Sequence, residues 1–474
     1  MTKPAGPGGQ FSEYARKSLH VAMGGFALLL RWLPWPAALA LAVGAFLFNL
    51  YALPAMGRGR LFRAEEARKS GRDIGILIYP AVIALLILIF RERLDIVAAA
   101  WGALAFGDGF ATIAGKAVGG PKLPWNRGKS WAGLIAFLVF GTAAAWFLFT
   151  WCDPGARGSA DLPDSAWAEA GLGGMLALTW QRWGMHLVGA VGAAAIVETL
   201  PLGLDDNLSV PLVTAGTLQA LLLVDPISWE AAHPQVYGRF WVAIAVNLVF
   251  GVLAYAARAV TIPGLIAGAV PGTIIYAGGG LPAFLVMLGF VFLGTAATKM
   301  GYARKAAAGI AQEKGGRRGP KNAFANCGTA AVLAILAVTT PYGPWMLLGL
   351  VAAFATAAAD TVSSEFGQAY GRTTYLITTF RRVPRGTEGA VSLEGTLAGV
   401  AASAVLAGIA WGGGLCAGTG FLVVIVAAFI GTTAESYLGA TLEQMKLIDN
   451  EAINFANTLI GALSAIGLAA LAGA

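Results

Sequence analysis

Charge is the scarcest property of this chain. Asp, Glu, Lys and Arg make up 12% of its 474 residues, against roughly 25% in an ordinary globular protein. Hydrophobic residues account for 57%, and 64 glycines add to the apolar side. So little polar surface excludes a soluble fold of this size, and so much hydrophobicity excludes disorder. Cysteine is also scarce. Cys152, Cys327 and Cys416 are an odd, scattered set without a CxxC, which excludes a disulfide framework and a zinc site. His20, His186 and His233 are too few and too dispersed for a metal cluster. No GxxxxGK[ST] occurs, because position 123, upstream of Gly128-Lys129-Ser130, is Leu; a P-loop enzyme is excluded. The N-terminus shows no short apolar core followed by A-x-A, so no cleaved signal peptide is expected. The net charge of +7 reads as basic cytoplasmic loops, not as nucleic-acid binding.

What is abundant is long apolar runs. About fifteen segments approach the ~20 residues needed to cross a bilayer. They are 21–35, 36–54, 73–90, 95–114, 130–151, 183–203, 210–224, 239–258, 261–279, 281–300, 323–340, 345–366, 392–412, 418–440 and 455–473. The fold class expected is all-α, a polytopic integral membrane protein. Lys and Arg crowd 55–72, 116–129, 304–321 and 372–385, whereas the loop 152–182 is acid-leaning (Asp153, Asp161, Asp164, Glu169). The positive-inside rule then places the N-terminus inside and the C-terminus outside. A bacterial inner membrane is the expected location.

Carboxylates within spans are costly, about 2.5–3.5 kcal/mol at the centre, and are functional candidates by default. Asp108, Glu198, Asp360, Glu365 and Glu435 lie near the expected cytoplasmic ends. Their companions recur in order in both halves. Asp73 matches Asn326, Asp108 matches Asp360, Glu198 matches Glu435, and Asn207 matches Asn450, each eight spans apart. An even offset keeps repeats parallel. Two related helical domains are expected, 1–238 and 259–474, with 239–258 as a linker helix.

Acids at one membrane face, with Lys and Ser in the next loop and Gly-rich turns, suit a metal–phosphate site. Carboxylates hold Mg²⁺ beside substrate phosphates. Lys neutralises phosphate as a point charge, and glycines such as Gly133 let backbone N–H groups approach it. Blander roles stay open: Asp108 and Asp360 as interhelical polar contacts, Lys129 and Ser130 as a snorkelling anchor and a helix cap, Arg385 and Glu388 as solvated loop, Asn454 and Asn457 as interhelical glue.

The motifs ARKSLHVAMGG (15–25), GRDIGILIYP (71–80), GDGFATIAGKAVGG (107–120), NRGKSWAG (126–133) and VETLPLGLDDNLSVP (197–211) resemble the phytol kinase and dolichol kinase family. In the second half, IPGLIAGAVPG (262–272), KNAFANCG (321–328), ADTVSSEFG (359–367), PRGTEGAVSLEGTLAG (384–399), ESYLGATLE (435–443) and NEAINFANT (450–458) resemble the membrane family that includes plant phytyl-phosphate kinase. The resemblance implies transfer of a phosphoryl group from a nucleoside triphosphate, typically CTP, to an isoprenoid alcohol of the phytol, farnesol or geranylgeraniol type, and then to its monophosphate. It implies a first site of Asp108, Lys129, Ser130, Glu198, Asp206 and Asn207. A second would use Asn326, Asp360, Ser364, Glu365, Glu388, Ser392, Glu435, Asn450 and Asn454. Asp108, Lys129, Glu198, Asp360, Glu388 and Glu435 would be catalytic; Mg²⁺ would sit on Asp108, Asp206, Asp360 and Glu365. The second half has Gly-Thr-Glu-Gly where the first has Gly-Lys-Ser, so its phosphate charge falls to others, Arg385 or Arg382. A cytidylyltransferase making a CDP-linked lipid and a repeat-built transporter are the alternatives. The oligomeric state is not readable from the sequence.

Overall fold

The structure is a computed structural model, and it describes residues 13–53, 74–152, 171–200, 204–307, 309, 318–444 and 448–472. Asp73, the basic stretch 55–72, loop residues 153–170, Lys314 and Arg317 lie outside the described residues. The chain divides into two compact units, Met1–Leu222 and Leu223–Ala474.

The first unit opens with α1 (Glu13–Met23), which tightens into a 3-10 helix (Gly24–Arg31). Pro34 and Pro36 punctuate the turn into α2 (Trp35–Leu47), which ends in a π-turn at Phe48–Ala52. Next come α3 (Ile74–Ile89), α4 (Leu94–Gly102), a π-turn at Ala103–Asp108, and α5 (Gly109–Ala117). A small antiparallel hairpin, β1 (Lys122–Leu123) and β2 (Asn126–Ser130), leads to α6 (Trp131–Cys152). The long α7 (Gly171–Thr199) and α8 (Asp206–Leu222) complete it.

The second unit begins with α9 (Pro226–Ala256), which carries residues 239–256 of the expected linker helix and packs on the helices that follow. Then come α10 (Ile262–Lys299), the short α11 (Tyr302–Ala307), α12 (Pro320–Thr339) and α13 (Gly343–Tyr370). An antiparallel pair, β3 (Tyr375–Leu376) and β4 (Ala390–Val391), precedes α14 (Leu393–Gly412). α15 (Gly418–Leu438) ends in a π-turn at Gly439–Glu443, and α16 (Asn450–Leu471) closes the unit.

Among the described residues, ten helices are long and apolar enough to cross a membrane, with Gly75–Ile89 as a shorter apolar one. The protein is a helical integral membrane protein. The sequence count was about fifteen, and the difference has local causes. α7 carries Gln181, Arg182, His186 and Glu198, and α8 is only 17 residues long. α10 combines two of the expected spans. It breaks at Gly280, whose φ of 71° only glycine adopts freely. Its arms fold back on each other. Arg318 touches both Gly264 and Gly294, and Lys299 Nζ donates to Ala257 O at 2.9 Å. A straight helix would hold residues 264 and 294 about 45 Å apart.

Each unit is built around its most buried span. The windows of Leu94–Ala117 and Gly343–Tyr370 are 78% and 72% buried. Both are alanine-rich, because small side chains let helices approach closely where lipid supplies no hydrophobic drive. Asp108 and Asp360 ride on these two central segments. The order of elements after them is the same: hairpin, capped helix, long helix, closing helix.

The closest approach lies between α13 and α16. A Cβ on Gly461 would fall 2.0 Å from Thr356 Oγ1, and one on Gly431 of α15 would fall 2.4 Å from Thr356 Cγ2. Thr356 is fully buried and donates to Ala352 O. Gly461→Ala is therefore expected to cost about 1–3 kcal/mol by overpacking. Thermal unfolding in detergent checks this, and adding Thr356→Ala is expected to restore most of the loss. An unchanged melting temperature for Gly461→Ala alone would contradict this packing.

Candidate active sites

Asp108 ends the π-turn at Ala103–Asp108 and is 2% exposed. Lys17 of α1 reaches across 91 residues of sequence to donate to its Oδ2 at 2.6 Å. His20, one turn on, places Nε2 at 3.4 Å from the same oxygen and 3.1 Å from Leu104 O. A carbonyl can only accept, so Nε2 carries a hydrogen there. Tyr79 packs edge-on against the His20 ring and accepts from Trp101 Nε1 at 2.8 Å.

The hairpin delivers the next cation. Lys129 pairs with Glu198 at the end of α7 and with Asp206 Oδ2 at 3.2 Å. The hairpin is pinned to that helix end: Trp125 Nε1 donates to Thr199 Oγ1 and Asn126 Nδ2 to Thr199 O. Burial alone would lower the Lys129 ammonium, but the Asp206 and Glu198 carboxylates outweigh it and hold it above its ordinary value. It stays charged at physiological pH. Asn207 Nδ2 donates to Gly75 O, tying α8 to α3. Asp108, Glu198 and Asp206 thus converge, each offering an oxygen within 4.8 Å of the others'. Three carboxylates at that separation suit one hard cation such as Mg²⁺. Ser130 accepts from Gly133 N at 3.2 Å, so this serine caps α6. Beside the cluster a cavity of about 700 Å³ meets His20 and Asn207.

The second unit repeats part of this with different charges. Ser392 caps α14 by accepting from Gly395 N at 3.1 Å, as Ser130 does for α6. A Cβ on Gly133 would press on Ala111 O, and one on Gly395 on Ser363 O. The Glu435 carboxyl and the Ser364 hydroxyl neighbour the Asp360 carboxyl. Two carboxyl groups this close repel each other unless a proton or a cation lies between them. Glu388 and Arg385 lie exposed on the β3–β4 connection. Gly389, at φ 72°, lets that connection settle on α15, where a Cβ would lie 2.6 Å from Ser436 O. Gln444 Nε2 donates to Glu388 O. Asn326 donates to Asn322 O, and Asn454 to Asn450 Oδ1.

Glu365, expected as a metal ligand, is paired with Lys305 of α11. Lys305 also donates to Thr298 O at 3.0 Å and Ala297 O at 3.4 Å, and both side chains are almost wholly buried. Among the described residues, Arg318 is a cation that stands beside Asp360. Its guanidinium lies over the Phe290 ring, donates to Asn322 Oδ1 and packs against Gly294, where a Cβ would be 2.5 Å away. Lys17, Lys305 and Arg318 are the functional candidates that sequence reasoning missed. The one available signal was their place in motifs: Lys17 in ARKSLH, Lys305 beside Gly301.

Fold and sites define a polytopic helical membrane protein with a buried cluster of carboxylates and cations in each unit. The family model described as "Integral membrane protein DUF92" matches residues 245–462. An uncharacterized membrane protein of Synechocystis is 48% identical over 204 residues, covering 42% of this chain and 79% of that protein. "Protein VTE6, chloroplastic" of Arabidopsis thaliana is 38% identical over 233 residues, covering 47% and 70%. A wheat (Triticum aestivum) protein named "Probable phytol kinase, chloroplastic" is 30% identical over 221 residues, covering 42% and 64%. The chain belongs to the DUF92 family of integral membrane proteins. No solved structure matches it.

Proposed function

We propose that this protein is a bifunctional isoprenoid-lipid kinase. The first unit phosphorylates an isoprenoid alcohol, and the second extends the monophosphate to the diphosphate. The donor is a nucleoside triphosphate, with CTP the first candidate, and both sites open to the cytoplasm. The observation that carries this reading is the convergence of Asp108, Glu198 and Asp206 with Lys17 and Lys129 at one end of a membrane bundle. The name of the wheat relative supports the substrate class.

Phosphoryl transfer asks a protein mainly for positioning and charge neutralisation. Asp108, Glu198 and Asp206 would hold Mg²⁺, which would supply neutralisation of phosphate charge when bound. Lys129, on a hairpin at the surface end, is placed to exchange its carboxylate partners for phosphate oxygens. Lys17 keeps Asp108 oriented from the opposite side. In the second unit Arg318 takes the place of the absent hairpin lysine, since Arg385 lies exposed on the loop and Arg318 stands beside Asp360. Its planar fork suits a phosphate. Arg318→Met is expected to slow monophosphate phosphorylation by roughly 10²-fold, the effect of losing one preorganised charge-stabilising donor. Arg318→Lys should restore part of the rate, and alcohol phosphorylation should not change. Equal loss of both steps would argue against this assignment.

The test of the whole reading is purified protein with phytol, farnesol or geranylgeraniol, Mg²⁺ and labelled triphosphates. A kinase moves the γ-phosphate label into the lipid. Transfer of the cytosine label would mark a cytidylyltransferase, and no product would remove the kinase reading.

A further inference from the structure

The first unit holds a slot whose shape is explained by none of the polar chemistry. The cavity runs between α1 with its 3-10 extension, α2, and α3. Both Ala38 of α2 and Leu53, just past the π-turn that ends it, line the cavity; they are fifteen residues apart, a span of roughly 20 Å at about 1.5 Å per residue. Its lining is apolar along nearly the whole length: Met23, Leu30, Leu33, Ala42, Phe48 and Ile83 are representative. Its volume of about 700 Å³ lies within the roughly 300–1,000 Å³ of ordinary ligand pockets.

Arg16, His20, Asn49 and Asn207 are its polar lining besides Tyr79 and Trp101. Two of them adjoin the carboxylate cluster: His20 stands 3.4 Å from Asp108 Oδ2, and Asn207 follows Asp206. Tyr79 and Trp101 also line it, but their polar atoms satisfy each other. Asn49 and Asn207 spend their amides on Ile76 O and Gly75 O. Phe26 and Leu41 line the slot while exposing 53% and 57% of their surface, so it opens sideways to lipid.

We propose that this slot holds the hydrocarbon chain of the isoprenoid alcohol, with the hydroxyl at His20 and Asp108, and that the small residues of α2 set the chain length accepted. This rests on the kinase reading above. A largely apolar slot whose few polar side chains include His20, beside Asp108, fits a single chain with a small head. A two-chain glycerolipid would have to bring its headgroup past His20 into the carboxylate cluster. The sideways opening lets a membrane-dissolved alcohol enter without crossing water.

Two substitutions on α2 narrow the slot. Ala42 is buried on the lining at mid-depth. Gly44 also lines it, and a Cβ there meets nothing within 4 Å, so Gly44→Leu adds bulk that starts from open space. Rates are measured for geraniol, farnesol, geranylgeraniol and phytol with the wild type, Ala42→Phe and Gly44→Leu. The variants are expected to lose more than about tenfold in kcat/KM for the longest alcohols relative to geraniol, since even one misfitting methylene is worth about 10–200-fold. A chain-length profile identical to the wild type would overturn the slot assignment while leaving the kinase reading standing. Should the wild type phosphorylate no alcohol, the kinase reading fails instead. The slot is then decided by photolabelling with a diazirine-bearing geranylgeraniol. Label on α1 and α2, lost in Ala42→Phe, supports it; equal labelling by a diazirine phosphatidylcholine overturns it.

Discussion

Asp108→Asn is expected to lower alcohol phosphorylation by roughly 10²–10³-fold, equivalent to about 2.7–4 kcal/mol of transition-state stabilisation. Added isoprenyl monophosphate should still become diphosphate. The substitution removes one of three converging carboxylates and leaves Lys17 without its 2.6 Å partner. Breaking a buried pair can also cost folding energy, about 3–5 kcal/mol. The double variant Lys17→Met/Asp108→Asn removes both charges and separates the two effects. It should fold as the wild type does and stay inactive towards alcohol. Asp360→Asn is the mirror case: monophosphate should accumulate from alcohol and not be extended. The expectation of separable steps follows from geometry. Asp108, Glu198 and Asp206 all lie in the first unit, and Asp360, Glu435 and Arg318 in the second. Should either substitution abolish both steps in folded protein, a single composite site would replace the two-site reading.

Which parts of this were legible in the sequence depended on range. Helices were legible because apolar length is a local property. The two arms of α10 could be separated from sequence because Gly278–Gly280 and Pro282 interrupt the run. Asp108 and Asp360 stood out because a carboxylate in an apolar segment is anomalous without any knowledge of its partner. Their 252-residue spacing then held for neighbours: Ala111 and Ser363, Gly115 and Gly367 make matching contacts with Ser130, Gly133, Ser392 and Gly395. The cations were not legible for the opposite reason. Lys305 and Arg318 sit in a basic stretch that the positive-inside rule already explains, Lys17 lies outside the named ones, and nothing local marks one lysine as turned inward. Their partners lie 91 residues away for Lys17 and 60 for Lys305. Glu365 shows the same limit. Its position within ADTVSSEFG suggested a ligand, yet five residues after Asp360 a helix has turned by more than one full revolution, to another face.

Lys305→Met is expected to be the most destabilising single substitution in the second unit. Lys305 is 1% exposed, and its ammonium is shared among Glu365, Thr298 O and Ala297 O. Without it the Glu365 carboxylate is left buried, and its Oε1 already has no hydrogen-bond partner. Removing one member of such a pair costs about 3–5 kcal/mol, mostly because the other charge is stranded. Glu365→Gln should cost less, because a neutral amide can still accept from the ammonium. The double variant Lys305→Met/Glu365→Gln should recover much of the loss, since no charge is then stranded. A double-mutant cycle on thermal or denaturant unfolding in detergent measures the coupling. Strong coupling with intact first-step activity identifies the pair as the brace holding α11 against the central helix α13. If instead Lys305→Met is as stable as the wild type but loses monophosphate phosphorylation, the lysine contacts substrate and Glu365 returns as a ligand. The two outcomes differ in which quantity moves, stability or turnover, so the cycle decides between a structural and a catalytic lysine.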